Sequence, residues 1–206
     1  MYLVFAALFL LVSCSSVEKA PEAPPVEIFT DLDKSLYDSV RKGELEKAKL
    51  LFNQGANPRV VGIVEDTLFH EAVFNRAEIS MLEFLLEAKA PLDVKNGMDV
   101  TPFAMAINSG QHKIARWLLN HGANVNQRDM FRTPLLFNLI EKGDVVGMRL
   151  MMEYKACPYG VSFINKSLES ITPENLSKEV QDYVKFYREK ISPNPPLEWQ
   201  KEDGKK

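Results

Sequence analysis

Three histidines and two cysteines are the side chains of this 206-residue chain best suited to acid–base, nucleophilic or metal chemistry. His70 stands apart from the other two, and neither His112 nor His121 has a second histidine at i+3 or i+4 or a glutamate in metalloprotease spacing. No helical face therefore presents a zinc ligand set. Cys157 has no base near it in sequence to draw off its proton, and a lone thiol of this kind is more often a small buried hydrophobe than a nucleophile. There is no glycine-rich phosphate loop and no Gly-x-Ser-x-Gly turn. The sequence supports no catalytic residue, no cofactor site and no metal site, so the chain reads as a non-enzyme. Its net charge of −3 is spread rather than blocked, which leaves no basic track for nucleic acid.

The elements that would carry these side chains are repeated. Ala56, Ala90, Ala123 and Ala156 each close a similar phrase, and they are 34, 33 and 33 residues apart. Thr67, Thr101 and Thr133 each open one, at intervals of 34 and 32. Two sets of landmarks on one period indicate a stacked helical array rather than a single closed core. With 46% apolar and 26% charged residues, the chain can bury the interior such an array needs.

Within one unit the residues account for their places. Thr101 can cap the first free amides of a helix, and Pro102 fits the first helical position, where its missing N–H is no loss. Phe103, Ala106 and Ile107 then fall on one face at i, i+3 and i+4. Gly110 marks a turn, a second helix runs through Ile114, Ala115, Trp117, Leu118 and Leu119, and Gly122 supplies the left-handed residue that ends it. The result is an antiparallel helix pair.

This pattern resembles the ankyrin repeat from Asp31 to about Ala156, most closely from Thr101-Pro102-Phe103 through Gly122-Ala123-Asn124-Val125-Asn126. The second unit keeps Thr67-Leu68-Phe69-His70-Glu71-Ala72, with one residue added near Asn75-Arg76. The fourth keeps Thr133-Pro134-Leu135, with one added before Gly143. The first begins atypically at Ser35-Leu36-Tyr37, as a capping unit does. The resemblance implies an all-α ankyrin-repeat solenoid of about four repeats, closed by a C-terminal helix pair over Ser162–Ile171 and Pro173–Ile191. It also implies that His70 bonds the hairpin and helix start rather than acting in catalysis. Lys89 and Lys155 replace the helix-ending glycine, so each must adopt the left-handed conformation or end its helix differently. Asn138 replaces a preferred alanine and needs partners if buried.

The chain ahead of the array reads differently. Tyr2 to Val12 is an unbroken apolar run, too short to cross a bilayer but the length of a secretory signal, although no lysine or arginine precedes it. Leu11-Val12-Ser13-Cys14 resembles a bacterial lipobox, which implies a signal peptide over 1–13 and acyl chains on Cys14. Residues 14–30, with Pro21, Pro24 and Pro25, read as a semi-rigid spacer, and 192–206 as a flexible tail. Ser15 and Ser16 follow the cysteine, which by the enterobacterial sorting rule sends the protein to the outer membrane, facing the periplasm. Loss of the anchor cysteine to lipid leaves Cys157 without an intramolecular disulfide partner.

Ankyrin arrays generally meet other proteins with their hairpin tips and the exposed side of their inner helices. Carried onto this sequence, that strip includes Arg41, Lys42, Ile63, Val64, Phe74, Arg76, Met98, Met130, Phe131, Arg132, Ile140 and Lys142. The apolar members suit an interface centre rimmed by arginine, with Ile63, Phe74, Arg76, Met98, Met130, Phe131, Arg132 and Ile140 as the contact set. The expected function is a monomeric, lipid-anchored adaptor of the bacterial cell envelope that holds another protein. The alternatives are an immunity protein against a periplasm-acting toxin and an envelope hydrolase with an unrecognised site.

Overall fold

Helices of seven to nine residues are too short to persist alone in water, so a chain that makes several of them must bury their apolar stripes against one another. The computed structural model describes residues 30–129 and 133–156, together with Lys178, Gln181 and Asp182. Among the described residues lie eight helices: α1 (Asp31–Arg41), α2 (Leu45–Asn53), α3 (Leu68–Phe74), α4 (Ile79–Glu87), α5 (Pro102–Asn108), α6 (His112–Asn120), α7 (Leu135–Lys142) and α8 (Val145–Glu153). They form four pairs. The odd-numbered helices stack in one row, α1 on α3, α3 on α5 and α5 on α7, and even-numbered helices pack outside them, α2 on α4 and α6 on α8. The core is one continuous seam through both rows.

Left-handed residues set the rhythm. Gly43, Arg76, Gly110 and Gly143 turn the chain from the inner to the outer helix, and Gly55, Lys89, Gly122 and Lys155 end the outer one, all with positive φ. Lys89 and Lys155 thus accept the strained conformation, each with φ of 60°, rather than ending their helices another way. The residue added in the second unit lies just after Ala77, whose N–H bonds the Ala72 carbonyl as those of Glu44, Gln111 and Asp144 bond the carbonyl five residues back. Glu44, Gln111 and Asp144 cap their outer helices directly after the left-handed turn, whereas Ala77 intervenes between Arg76 and the capping Glu78.

Unit openings conform in part. Thr101 Oγ1 accepts the Ala104 N–H at 3.2 Å with Pro102 at the first helical position. Pro134, not Thr133, occupies the corresponding place in the fourth unit, where it bridges Arg128 as Thr67 bridges Val61. That shift accounts for the extra residue counted between Thr133 and Gly143. Thr133 instead gives its N–H to Asp129 Oδ1 at 2.8 Å, and the same carboxylate accepts the Asn138 side-chain amide at 3.1 Å, which supplies the partner that Asn138 requires. Thr30, assigned by sequence to the spacer, is the cap of α1: its backbone N–H and hydroxyl both donate to Asp33, and its hydroxyl accepts the Asp33 N–H. The reciprocal pattern Thr30-x-x-Asp33 is a capping box.

Polar side chains then join one unit to the next. His70 is fully buried, and its Nδ1 receives the Thr67 N–H at 3.1 Å. A backbone N–H can only donate, so the proton lies on Nε2, which donates to the Val100 carbonyl at 2.9 Å. Burial holds the imidazole below its ordinary value, against the opposing pull of that carbonyl and of Asp66. Asp33 stays ionised: burial works against its charge, but the N–H groups of Asn57, at 2.7 Å, and Thr30 and the Thr30 hydroxyl outweigh it. Tyr37 donates to Glu71 Oε1 at 2.5 Å across the first junction, and a Cβ at Gly62 would collide with its phenol. Phe52 and Phe84 meet edge-on at 5.9 Å between the first two outer helices.

Leu118 lies fully buried on α6 among both rows. Leu118→Ala should lower the free energy of urea unfolding by about 2–5 kcal/mol, the range for a truncated core leucine. For His70 the sign follows from its lowered pKa: the unfolded imidazole binds a proton more readily, so the stabilisation is complete above about pH 6.5 and is lost as pH falls through the lower folded value. Urea midpoints measured between about pH 7.5 and pH 5 should therefore drop more steeply for the native chain than for His70→Gln.

Candidate protein-binding surface

The hairpins between units are built from turns whose backbone is already satisfied. In the first, Gly62 N–H bonds the Asp66 carbonyl at 2.8 Å and Glu65 N–H bonds the Gly62 carbonyl at 3.0 Å. In the second, the side-chain carbonyl of buried Asn96 accepts the N–H groups of Met98 and Val100, at 3.0 and 3.1 Å. The two hairpins are also tied together. Gly97 N–H donates to the Val64 carbonyl at 2.8 Å, and the Asn96 amide to Asp66 Oδ1 at 2.6 Å. Further along, Asp93 accepts the Asn124 N–H and the Gln127 amide of the third hairpin. Tips fixed in this way present their side chains without a cost for ordering the backbone on contact.

On that base Ile63 projects with 106% relative exposure, and Val64 and Met98 with 47% each. Phe74, the last residue of α3, is 72% exposed, and Arg76 is exposed two residues later in the left-handed turn. The expected strip therefore divides in two. Ile63, Val64 and Met98 cluster at the locked tips. Phe74 and Arg76, with Arg41, Lys42 and Lys142 in the corresponding turns, stand at the other end of the inner helices, about 10 Å away at 1.5 Å per residue.

Ile140 does not belong to either group. It is 2% exposed, because it occupies the place that Val40, Val73 and Ile107 hold in the other inner helices, three residues before the left-handed turn and facing the core. Aligning the unit on Thr133 hides this equivalence, and aligning it on Gly143 reveals it. Met130, Phe131 and Arg132 lie outside the described residues, as do Cys14, Cys157, the expected signal and the tail; of the expected cap, only Lys178, Gln181 and Asp182 are described. Asn96 was missed by sequence reading although Asn96-Gly97 is a strong turn dipeptide.

The three histidines have structural employment. His70 ties the second unit to the hairpin that follows it. His112 Nε2 meets Asp144 Oδ2 at 2.7 Å, where Asp144 also caps α8 through the Gly147 N–H at 2.9 Å. His121 stacks on Trp117 with ring centroids 4.0 Å apart, and its Nδ1 donates to the Trp117 carbonyl at 2.7 Å. Among the described residues no group of three His, Cys, Asp or Glu side chains could hold a metal ion, and no helix is long and apolar enough to cross a membrane.

A family model for ankyrin repeats matches residues 36–129 in three copies. A relative described as an ankyrin repeat protein, from Rickettsia bellii (strain RML369-C), is 24% identical over 151 residues, which are 71% of this chain and 57% of the relative. Alpha-latrotoxin-Lg1a of Latrodectus geometricus is 29% identical over 133 residues, 61% of this chain but 10% of the toxin. The chain thus spans less than two thirds of the length of either. Repeats of this family form protein–protein interaction modules. Sequence match and helix-pair stack agree, and residues 36–129 of this chain are ankyrin repeats.

Proposed function

We propose that this chain is a non-catalytic adaptor that holds another protein on its hairpin tips and is tethered to a bacterial envelope membrane through acyl chains on Cys14. The observation that carries the binding half is the exposed trio of Ile63, Val64 and Met98 on turns already fixed by their own hydrogen bonds. Core packing does not require those side chains, and apolar groups displayed on a rigid base suit an interface centre. Phe74 beside Arg76 forms a second anchor pair, of the aromatic and arginine types that dominate binding energy.

The tether rests on Leu11-Val12-Ser13-Cys14 after the apolar run from Tyr2. Two or three acyl chains hold a protein on a bilayer where one does not, since each buried methylene contributes about 0.8 kcal/mol. The Pro-containing spacer would then lift the repeats clear of the headgroups.

Affinity capture from bacterial envelope extract tests the first half. Ile63→Asp combined with Met98→Asp should lower recovery of the specific partner at least about tenfold, in line with the loss of an interface anchor, while circular dichroism and melting temperature stay near native values. Undiminished capture by that variant would remove the tips from the binding surface. For the tether, radiolabelled palmitate should enter the full chain in a bacterial host and not its Cys14→Ser variant; an unlabelled native chain would refute the anchor.

A further inference from the structure

The two described tips share a second feature besides their exposed apolar side chains. Glu65 and Asp99 are 34 residues apart, occupy equivalent places, and both sit in the left-handed region, with φ of 58° and 61°. Glycine holds that conformation freely, whereas an L side chain is strained in it. Each of these acids follows an apolar residue, Val64 in one tip and Met98 in the other, exposed to the same degree. Each turn is closed by the N–H of its acid, Glu65 to the Gly62 carbonyl and Asp99 to the Asn96 carbonyl, so the two acids leave matching, fixed points of the backbone.

These two apolar–acidic rungs are also held rigidly relative to each other. The Gly97 N–H to Val64 carbonyl bond and the Asn96 to Asp66 bond fasten one turn to the next, and a Cβ at Gly97 would press within 3.1 Å of the Val64 oxygen. Ile63 stands beside the first rung. Beside the trio stand the carboxylates of Glu65, Asp66 and Asp99, with Lys95 paired to Asp99 at 2.7 Å. The local field is negative, which attracts bases and repels an anionic bilayer.

We propose that this pair of tips takes a partner segment in which an apolar side chain is flanked by lysine or arginine. The inference rests on the protein-binding reading above and adds the partner's chemistry to it. The apolar side chain covers Ile63, Val64 and Met98 while the flanking cations donate to the Glu65 carboxylate and, in place of Lys95, to that of Asp99, both borne on a fixed backbone.

The test uses the full chain and a displayed library of random peptides about twelve residues long. Peptides enriched by the native chain, but not by the Val64→Ser, Met98→Ser double variant, should carry an apolar residue between basic ones. Fluorescein-labelled copies of them should bind at least about tenfold more weakly at about 0.5 M than at about 50 mM NaCl. Glu65→Gly with Asp99→Gly should lose a similar factor while melting at the same or a higher temperature, because glycine relieves both turns. Native-like binding by that glycine variant, or tip-dependent peptides without basic flanks, would overturn the proposal. Enrichment unaffected by the serine variant would sink this inference, because the peptides would then bind off the tips, while capture of the native partner by the Ile63→Asp, Met98→Asp variant decides the adaptor reading separately. Tip-dependent binding of phosphatidylglycerol vesicles would also count against it.

Discussion

Everything in this molecule follows from helices too short to stand alone. A seven-residue inner helix such as α3 or α5 makes few of its own hydrogen bonds and cannot recover the cost of nucleation. It is stable only when the unit before and the unit after cover its apolar stripe, so register must hold along the whole stack. The left-handed residues at Gly43, Arg76, Gly110 and Gly143 enforce that register by fixing where each inner helix stops. The three places in this rhythm where Arg76, Lys89 and Lys155 stand instead of glycine show how strong the demand is: each accepts a strain of about 1–2 kcal/mol rather than move the turn.

Side chains add a second layer of specification between neighbours. Tyr37 to Glu71, His70 to the Val100 carbonyl, Asn96 to Asp66 and Asp93 to Gln127 each span roughly one repeat. Contacts of this reach are short for a protein of this size, which makes stability a sum over adjacent pairs. The buried members are costly if left unpaired, so they penalise a slipped neighbour more than they stabilise the correct one.

Much of this was legible beforehand, because periodic alanines, capping threonines and turn glycines state their geometry directly. The helix pair from Thr101 to Ala123 needed no tertiary information. What escaped reading had specific causes. Ile140 looked like a surface residue because the fourth unit was aligned on Thr133, whereas packing aligns it on Gly143. Thr30 looked like spacer because prolines dominate the residues before it, although its capping box with Asp33 was present in sequence. The locking of one tip onto the next depends on Asn96 and Gly97 meeting residues 30 or more positions earlier, and no local pattern encodes that encounter. The exposure of Ile63, Val64, Phe74 and Met98 was readable, since these positions lie outside the periodic core stripe.

The outer helices of the third and fourth units are fastened unlike those of the first and second. His112 to Asp144, Arg116 to Glu153 and Asn120 to Tyr154 join α6 to α8 in a polar row, and the Arg116 pair lies open to solvent. Between α2 and α4, by contrast, the described contact is aromatic, Phe52 on Phe84. Charge pairs in water contribute little and are screened by dissolved ions, whereas ring packing is indifferent to them. The stack therefore has a grain: added salt loosens the outward polar row between α6 and α8 and leaves the aromatic contact between α2 and α4 as it was, while the shared core holds both.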